Sequence, residues 1–114
     1  MSHETWQEQL RRGSLDLAIL LTVSRGPRYG LAIIQHLDAF TDLVVTEGTI
    51  YPILGRLTRE GLLEATWVED EGPHPRKYYV LTRIGARRLS QMKAEWRAFA
   101  DKINRLMEAS EAPR

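Results

Sequence analysis

Residues 47–63, EGTIYPILGRLTREGLL, leave few options for the fold around them. At about 100° per residue, Ile50, Ile53, Leu54 and Leu57 fall on one side of a helix. Gly48, Pro52, Gly55 and Arg59 lie opposite, flanked by Tyr51 and Arg56. The apolar stripe needs a core to cover it, and the nearly bare outer face is shaped to touch something outside the domain. Gly61 then stops the helix and leads into a strand.

At 114 residues the chain fits one domain, and a 43% hydrophobic fraction with three tryptophans can fill a modest core. It has no cysteine, which excludes disulfides, thiolate metal sites and cysteine nucleophiles and suits a reducing compartment. Residues 1–14 are polar where a signal peptide would need an apolar run, and the apolar stretch 17–23 is far too short for a bilayer span. A soluble, cytoplasmic protein is expected.

The net charge of +1 hides a sorting of charge along the chain. Residues 64–71 hold four acids and no base, whereas 72–89 hold Arg76, Lys77, Arg83, Arg87 and Arg88 and no acid. The second block is a local basic region inside an almost neutral molecule.

Residues 4–12 predict a short amphipathic helix pairing Trp6 with Leu10 and ended by Gly13. Ser14 then caps a second helix, with Asp16 in its first turn and an almost wholly apolar run over 15–23 that suits both a core and a subunit contact. After Gly26 and Pro27, a helix is expected over 28–40 with Gly30, Ile33, Ile34, Leu37 and Phe40 on one side. A short link over 43–45 leads to the 47–63 segment, capped by Thr46 or Thr49. A Thr49 cap puts Pro52 in the first turn, whereas a Thr46 cap makes Pro52 a local strain.

Residues 62–69 alternate as a strand, with Leu63, Ala65 and Trp67 on one face, and 76–82 supply a partner rich in Tyr and Val. Tyr78 and Tyr79 point to opposite faces, so one of them is core. The connecting DEGPHP contains two prolines and is too long for a tight hairpin, so it should project as a stiff wing. From Thr82, an N-cap, a long helix is expected to about residue 108. Leu89, Met92, Trp96, Phe99, Ile103 and Leu106 recur along it at alternating steps of three and four, a heptad seam suited to packing lengthwise on partner helices.

Three helices, a strand, a projecting loop, a strand and a long helix make a mainly α fold with a small β-hairpin, the order of a winged helix-turn-helix. Residues 1–82 form the N-terminal helix and winged helix-turn-helix, and 83–114 a C-terminal dimerisation helix, in one compact domain overall.

Over residues 10–96 the chain resembles the PadR family of bacterial transcriptional regulators: GSLDLAILLTVSRGPRYGLAI, EGTIYPILGRLTREGLLEATW and GPHPRKYYVLTRIGARRL stand in the family's order and spacing. The resemblance implies a homodimeric DNA-binding repressor of the compact subfamily with a single terminal helix, several of whose members respond to small aromatic compounds near the dimer interface. Tyr29 and Gly30 match the family's element at the start of the second helix. Gly48, Thr49, Tyr51, Pro52, Arg56 and Leu57 match its recognition-helix signature, and Arg76, Lys77, Tyr78 and Tyr79 match its wing. Gly55 departs from the pattern, since related chains often carry a longer, frequently basic side chain there.

The expected DNA-binding set is therefore Tyr29, Gly30, Thr46, Gly48, Thr49, Tyr51, Pro52, Arg56, His74, Arg76 and Lys77. Thr49 and Tyr51 would reach base edges or methyl groups, Arg56 base or phosphate, and the wing side chains phosphate or the minor groove. Arg59 can pair with Glu60 or Glu64 and stays outside the set. Arg83, Arg87 and Arg88 read as solubilising.

The expected dimer interface comprises Trp6, Leu10, Leu89, Met92, Trp96, Phe99, Ile103 and Leu106. Trp96 either fills its core or, facing its two-fold mate, walls a slot for a planar aromatic effector with Met92 and Phe99, Arg12 and Asp16 supplying polar groups. A protein-interaction module that does not bind DNA is the alternative, hinted at by Gly55 and the acidic EDE run, and a carrier of aromatic ligands is a third. His3, His36 and His74 are scattered, no serine sits in a nucleophile context, and GPRYGLA lacks the P-loop lysine, so no enzymatic activity, metal or cofactor is expected.

Overall fold

The first helix begins where Thr5 and Glu8 can satisfy each other's backbone. Glu8 N donates to Thr5 Oγ1 at 3.1 Å and Thr5 N donates to Glu8 Oε2 at 3.0 Å, a reciprocal capping box. The structure, a computed structural model, describes residues 4–41, 45–69 and 72–111.

From that cap α1 (Trp6–Val23) runs without a break, so the expected stop at Gly13 and fresh start at Ser14 do not occur. Ser14 Oγ instead donates back to Leu10 O at 2.8 Å, as a mid-helix serine does. One interior glycine costs about 1 kcal/mol, too little to end a helix whose second half is fixed in the core.

Past Gly26, at φ 140°, the chain forms a two-residue strand, β1 (Arg28–Tyr29), where helix is expected from the spacing of apolar residues. α2 (Gly30–Thr41) follows directly and buries Ile33 and Leu37. Phe40, expected on that inner side, is 77% exposed, because the helix has run past the core by then, and its ring stacks on His36 at 5.6 Å instead. The link over 43–45 lies outside the described residues except for Val45, which is buried.

Thr46 is the N-cap of α3 (Glu47–Arg59), which places Pro52 inside the helix, where its ring nitrogen cannot donate to Gly48 O. Ile50, Leu54 and Leu57 are fully buried and Ile53 partly so, as their spacing requires. Gly61, at φ 79°, closes the helix in a Schellman turn: Leu62 N donates to Leu57 O at 3.0 Å and Gly61 N to Thr58 O at 3.0 Å.

Strands β2 (Leu63–Val68) and β3 (Arg76–Leu81) pair antiparallel with Leu63 opposite Leu81 and Val68 opposite Arg76. β1 adds to the other edge of β3, giving a three-stranded sheet in the order β1-β3-β2 rather than a bare hairpin. Tyr79 is the core tyrosine of its pair.

α4 (Arg83–Glu111) is about 43 Å long; Gly85 and Leu89 of its first turns are buried in the domain with Met92 at the edge, Lys93, Trp96 and Arg97 run alongside α1, and the C-terminal turns beyond are exposed. Leu89, expected in the dimer seam, is 3% exposed and belongs to the core of its own chain. No helix among the described residues is long and apolar enough to cross a membrane.

Two glycine-to-alanine changes should therefore act in opposite directions. A Cβ at Gly85 would stand 2.0 Å from Leu62 O, a backbone atom that cannot swing away, so Gly85→Ala should cost about 1–3 kcal/mol. A Cβ at Gly13 meets nothing within 4 Å, and Gly13→Ala should add about 1 kcal/mol of helix stability. Thermal melts of the two variants, one falling and one rising, check both statements.

Candidate nucleic-acid interface

The exposed face of α3 turns one flank to the wing and the other to α1. On the wing flank Tyr51 lies across Gly30, so close that a Cβ there would be 2.5 Å from the ring. Tyr51, Glu47 and Gly55 of α3, Gly30 and Leu31 of α2, and Trp67, Arg76, Lys77 and Tyr79 of the sheet enclose an open cleft of about 580 Å³. Burial raises the Tyr51 phenol above its ordinary pKa, and Glu47 adds to the rise, so the hydroxyl stays protonated and able to donate at any physiological pH. Tyr79, beneath it, is raised by burial and then by Tyr51.

The two wing cations rest on aromatic faces. The Arg76 guanidinium lies 4.4 Å from the centre of the Tyr29 ring, which itself meets Tyr78 edge-on at 5.4 Å. The Lys77 ammonium sits 5.9 Å from the Trp67 ring and 6.0 Å from that of Tyr79, with no ion pair among the described residues. Tyr29 thus reaches the interface as the platform under Arg76. Trp67, 67% exposed, is a member of the site that alternation along the chain places only on a strand face. Its register opposite Lys77 is the signal that could have found it.

On the α3 N-terminus, Thr46, Gly48, Thr49 and Pro52 are all exposed, and Thr46 Oγ1 lies 3.2 Å from Thr49 Oγ1. His74 is exposed in the wing loop, and the neighbouring residues 70 and 71 of the acidic run lie outside the described residues.

The two arginines of α3 stand in the reverse of the expected arrangement. Arg56 is engaged by two carboxylates: its Nη2 donates to both oxygens of Asp16 at 2.8 and 2.9 Å, and its Nη1 to Glu60 Oε1 at 2.9 Å. Those hydrogen bonds hold the guanidinium firmly protonated, Asp16 contributing most. Arg59 has no ion pair among the described residues and extends along the outer face past Gly55. The i,i+4 rule selects Arg56 for Glu60, since Arg59 and Glu60 are adjacent and diverge around the helix.

The remaining surface of note is apolar. Trp96, Phe99, Ile103 and Leu106 of α4 are 46%, 60%, 40% and 66% exposed, Met107 joins them, and Trp6 and Leu10 on α1 are likewise uncovered. Beside Trp96 is a hollow of about 330 Å³ lined by Ser14, Leu17, Ala18 and Leu21 of α1 with Lys93 and Arg97 of α4. Arg12 and Asp16, expected as its polar groups, face the other way: Arg12 pairs with Glu4, and Asp16 with Arg56. Met92 packs against the core rather than lining the hollow.

A short helix pair presenting an exposed third helix beside a basic β-wing defines a winged helix-turn-helix DNA-binding protein. Residues 19–91 match the model of the transcriptional regulator PadR-like family. A PadR-like transcription factor from Bacteroides fragilis is 39% identical, covering 88% of this chain and 96% of its own, with a TM-score of 0.74. PadR family regulators from Eggerthella lenta and Bacillus cereus are 37% and 34% identical, each with a TM-score of 0.78, covering 88% and 87% of this chain and 87% and 96% of theirs. The chain belongs to the PadR-like family: it is a DNA-binding transcriptional regulator and not an enzyme.

Gly30→Ala should keep the fold and push the Tyr51 ring off its seat, since the obstructing atoms are the far end of a side chain that can swing. A changed Tyr51 ring-proton environment in NMR spectra with a nearly unchanged melting temperature is the expected result.

Proposed function

We propose that the chain acts as a homodimeric repressor that binds an inverted-repeat operator, one α3 entering the major groove at each half-site and each wing gripping the flanking backbone. The observation that carries this reading is that the cleft walls, Tyr51 on one side and the aromatic-mounted Arg76 and Lys77 on the other, face outward together with the open N-terminus of α3. A two-fold axis along the exposed ridge of α4 would set the half-site spacing near one helical turn or a small multiple of it. Within the proposed interface Gly48, Thr49 and Tyr51 approach bases, while Thr46, Pro52, Arg59, His74, Arg76 and Lys77 meet the backbone; Tyr29 and Gly30 seat Arg76 and Tyr51.

Lys77→Ala should weaken binding to all duplexes alike and reduce the salt dependence of log K by about 0.9 for each phosphate that is no longer neutralised. Tyr51→Ala should instead change the ranking of operator variants. Mobility shifts over a salt series measure both, and an unchanged slope would remove Lys77 from the interface. Absence of any shift would leave the protein-interaction reading in its place.

A planar aromatic effector belongs to the same proposal. Trp96 stands half-exposed beside the apolar hollow on the ridge proposed for dimerisation, and a two-fold mate would bring a second indole to it. A compound favouring one arrangement of the two α4 helices would release DNA only to the extent of its differential affinity for the two states. Quenching of tryptophan fluorescence by planar aromatics should disappear in Trp96→Leu while sedimentation still reports a dimer. Persistence of quenching would assign it to Trp6 or Trp67.

A further inference from the structure

Arg56 belongs to the recognition helix yet is turned away from its outer face. It shares a flank with Thr49 and Ile53, toward α1, and one of its terminal nitrogens, Nη2, donates to both oxygens of Asp16 across 40 residues of chain while Nη1 donates to Glu60. With Nη2 held by Asp16 and Nη1 by Glu60, the guanidinium plane is fixed in direction as well as position, which a single hydrogen bond would not do. Glu60 closes the other end of the guanidinium, so the cation stands between two carboxylates and has little net charge to offer a phosphate.

The place of this ion pair matters. Arg56 lies one turn beyond Pro52, where α3 lacks one of its own ladder bonds, and Asp16 is the neighbour of Leu15, a buried anchor of α1. The opposite flank of α1 carries Ser14, Leu17 and Leu21, which line the hollow beside Trp96. One helix therefore touches the reader through Asp16 and the apolar ridge through its other side.

We propose that the Asp16–Arg56 pair is a strut that sets the angle of the recognition helix against α1, making Arg56 a positioning residue for operator discrimination rather than a DNA contact. This rests on the DNA-binding reading above and deepens it, because any shift of α1 against α4 reaches the reader helix through this pair.

The test uses a duplex selected from a random pool by the wild-type protein, a scrambled duplex of the same length, and the variants Asp16→Ala, Arg56→Ala, their combination, and Arg56→Lys. Each alanine variant should bind the selected duplex about tenfold more weakly, a loss of about 1.4 kcal/mol, with the combination no weaker than the weaker single variant. Binding to the scrambled duplex and the salt slope should not change. Arg56→Lys keeps the charge but loses the fork, so it should follow the alanine variant.

The proposal is overturned if Asp16→Ala tightens binding by freeing Arg56, if Arg56→Ala lowers the salt slope by about 0.9 per subunit, if Arg56→Lys retains wild-type affinity, or if no variant differs from wild type. Thermal melts of the same four proteins without DNA judge the strut separately: each single alanine variant should melt lower and the combination no lower still, and additive losses would overturn it. A wild-type protein that selects no duplex would defeat the repressor reading while leaving this second cycle to decide on the strut. Should an alanine variant fail to fold, Asp16→Asn, which keeps the shape and removes the charge, takes its place in both cycles with the same expected outcomes.

Discussion

The direction in which α4 leaves the domain is decided at one joint, and the relation between ridge and reader depends on it. Thr82 N donates to Leu62 O at 3.1 Å, Thr82 Oγ1 donates to Gly61 O at 2.6 Å, and Gly85 N donates to Thr82 Oγ1 at 2.9 Å. A single threonine thus ties the turn that ends α3 to the first turn of α4. The backbones approach so closely there that only glycine fits at position 85. Because Gly61 also ends α3 in its Schellman turn, the end of the reader helix and the start of the long helix share one fixed point.

With that point fixed, surface shape and cationic charge fall to different elements. The outer face of α3 is smooth, with Gly48, Pro52 and Gly55 along it, and it can bring its backbone close to whatever it reads. Cationic side chains beside it are concentrated in the wing, where Arg76 lies over the Tyr29 ring and Lys77 beside that of Trp67, a contact that leaves the lysine charge in place. A carboxylate partner would have held Lys77 equally well and removed the charge that phosphate seeks, which is the condition of Arg56.

Periodic features of the fold are legible in the sequence: the stripe of α3, its glycine stop, the strand pair and the long helix all follow from spacing that no tertiary contact had to reverse. Where spacing misleads, the deciding partner is distant or the local signal is weak. Gly13 looks like a stop only if the capping box at Thr5 and Glu8 is overlooked, and Arg28 and Tyr29 become a strand only because the edge of β3 is there to receive them. Leu89 and Leu106 both belong to one 3,4-spaced stripe, yet the first lies against the domain and the second far beyond it, a difference that no repeat encodes. Arg56 is the instructive case: the i,i+4 carboxylate at Glu60 is visible in the chain, but Asp16 is not.

The Asp16–Arg56 pair changes how the family signature around residues 48–57 reads. A motif shared by DNA readers invites the inference that each member touches DNA, although the members serve three different ends here. Leu57 holds the helix to the core beside Ile50 and Leu54, Tyr51 closes against Gly30 at the cleft, and Arg56 reaches back to α1. A helix that must present a smooth face at a defined angle needs lateral ties as much as it needs groups that touch DNA, since a small rotation would move every group on that face together. The physical demand on Arg56 is therefore geometric, and a planar fork meets it where the point charge of a lysine does not.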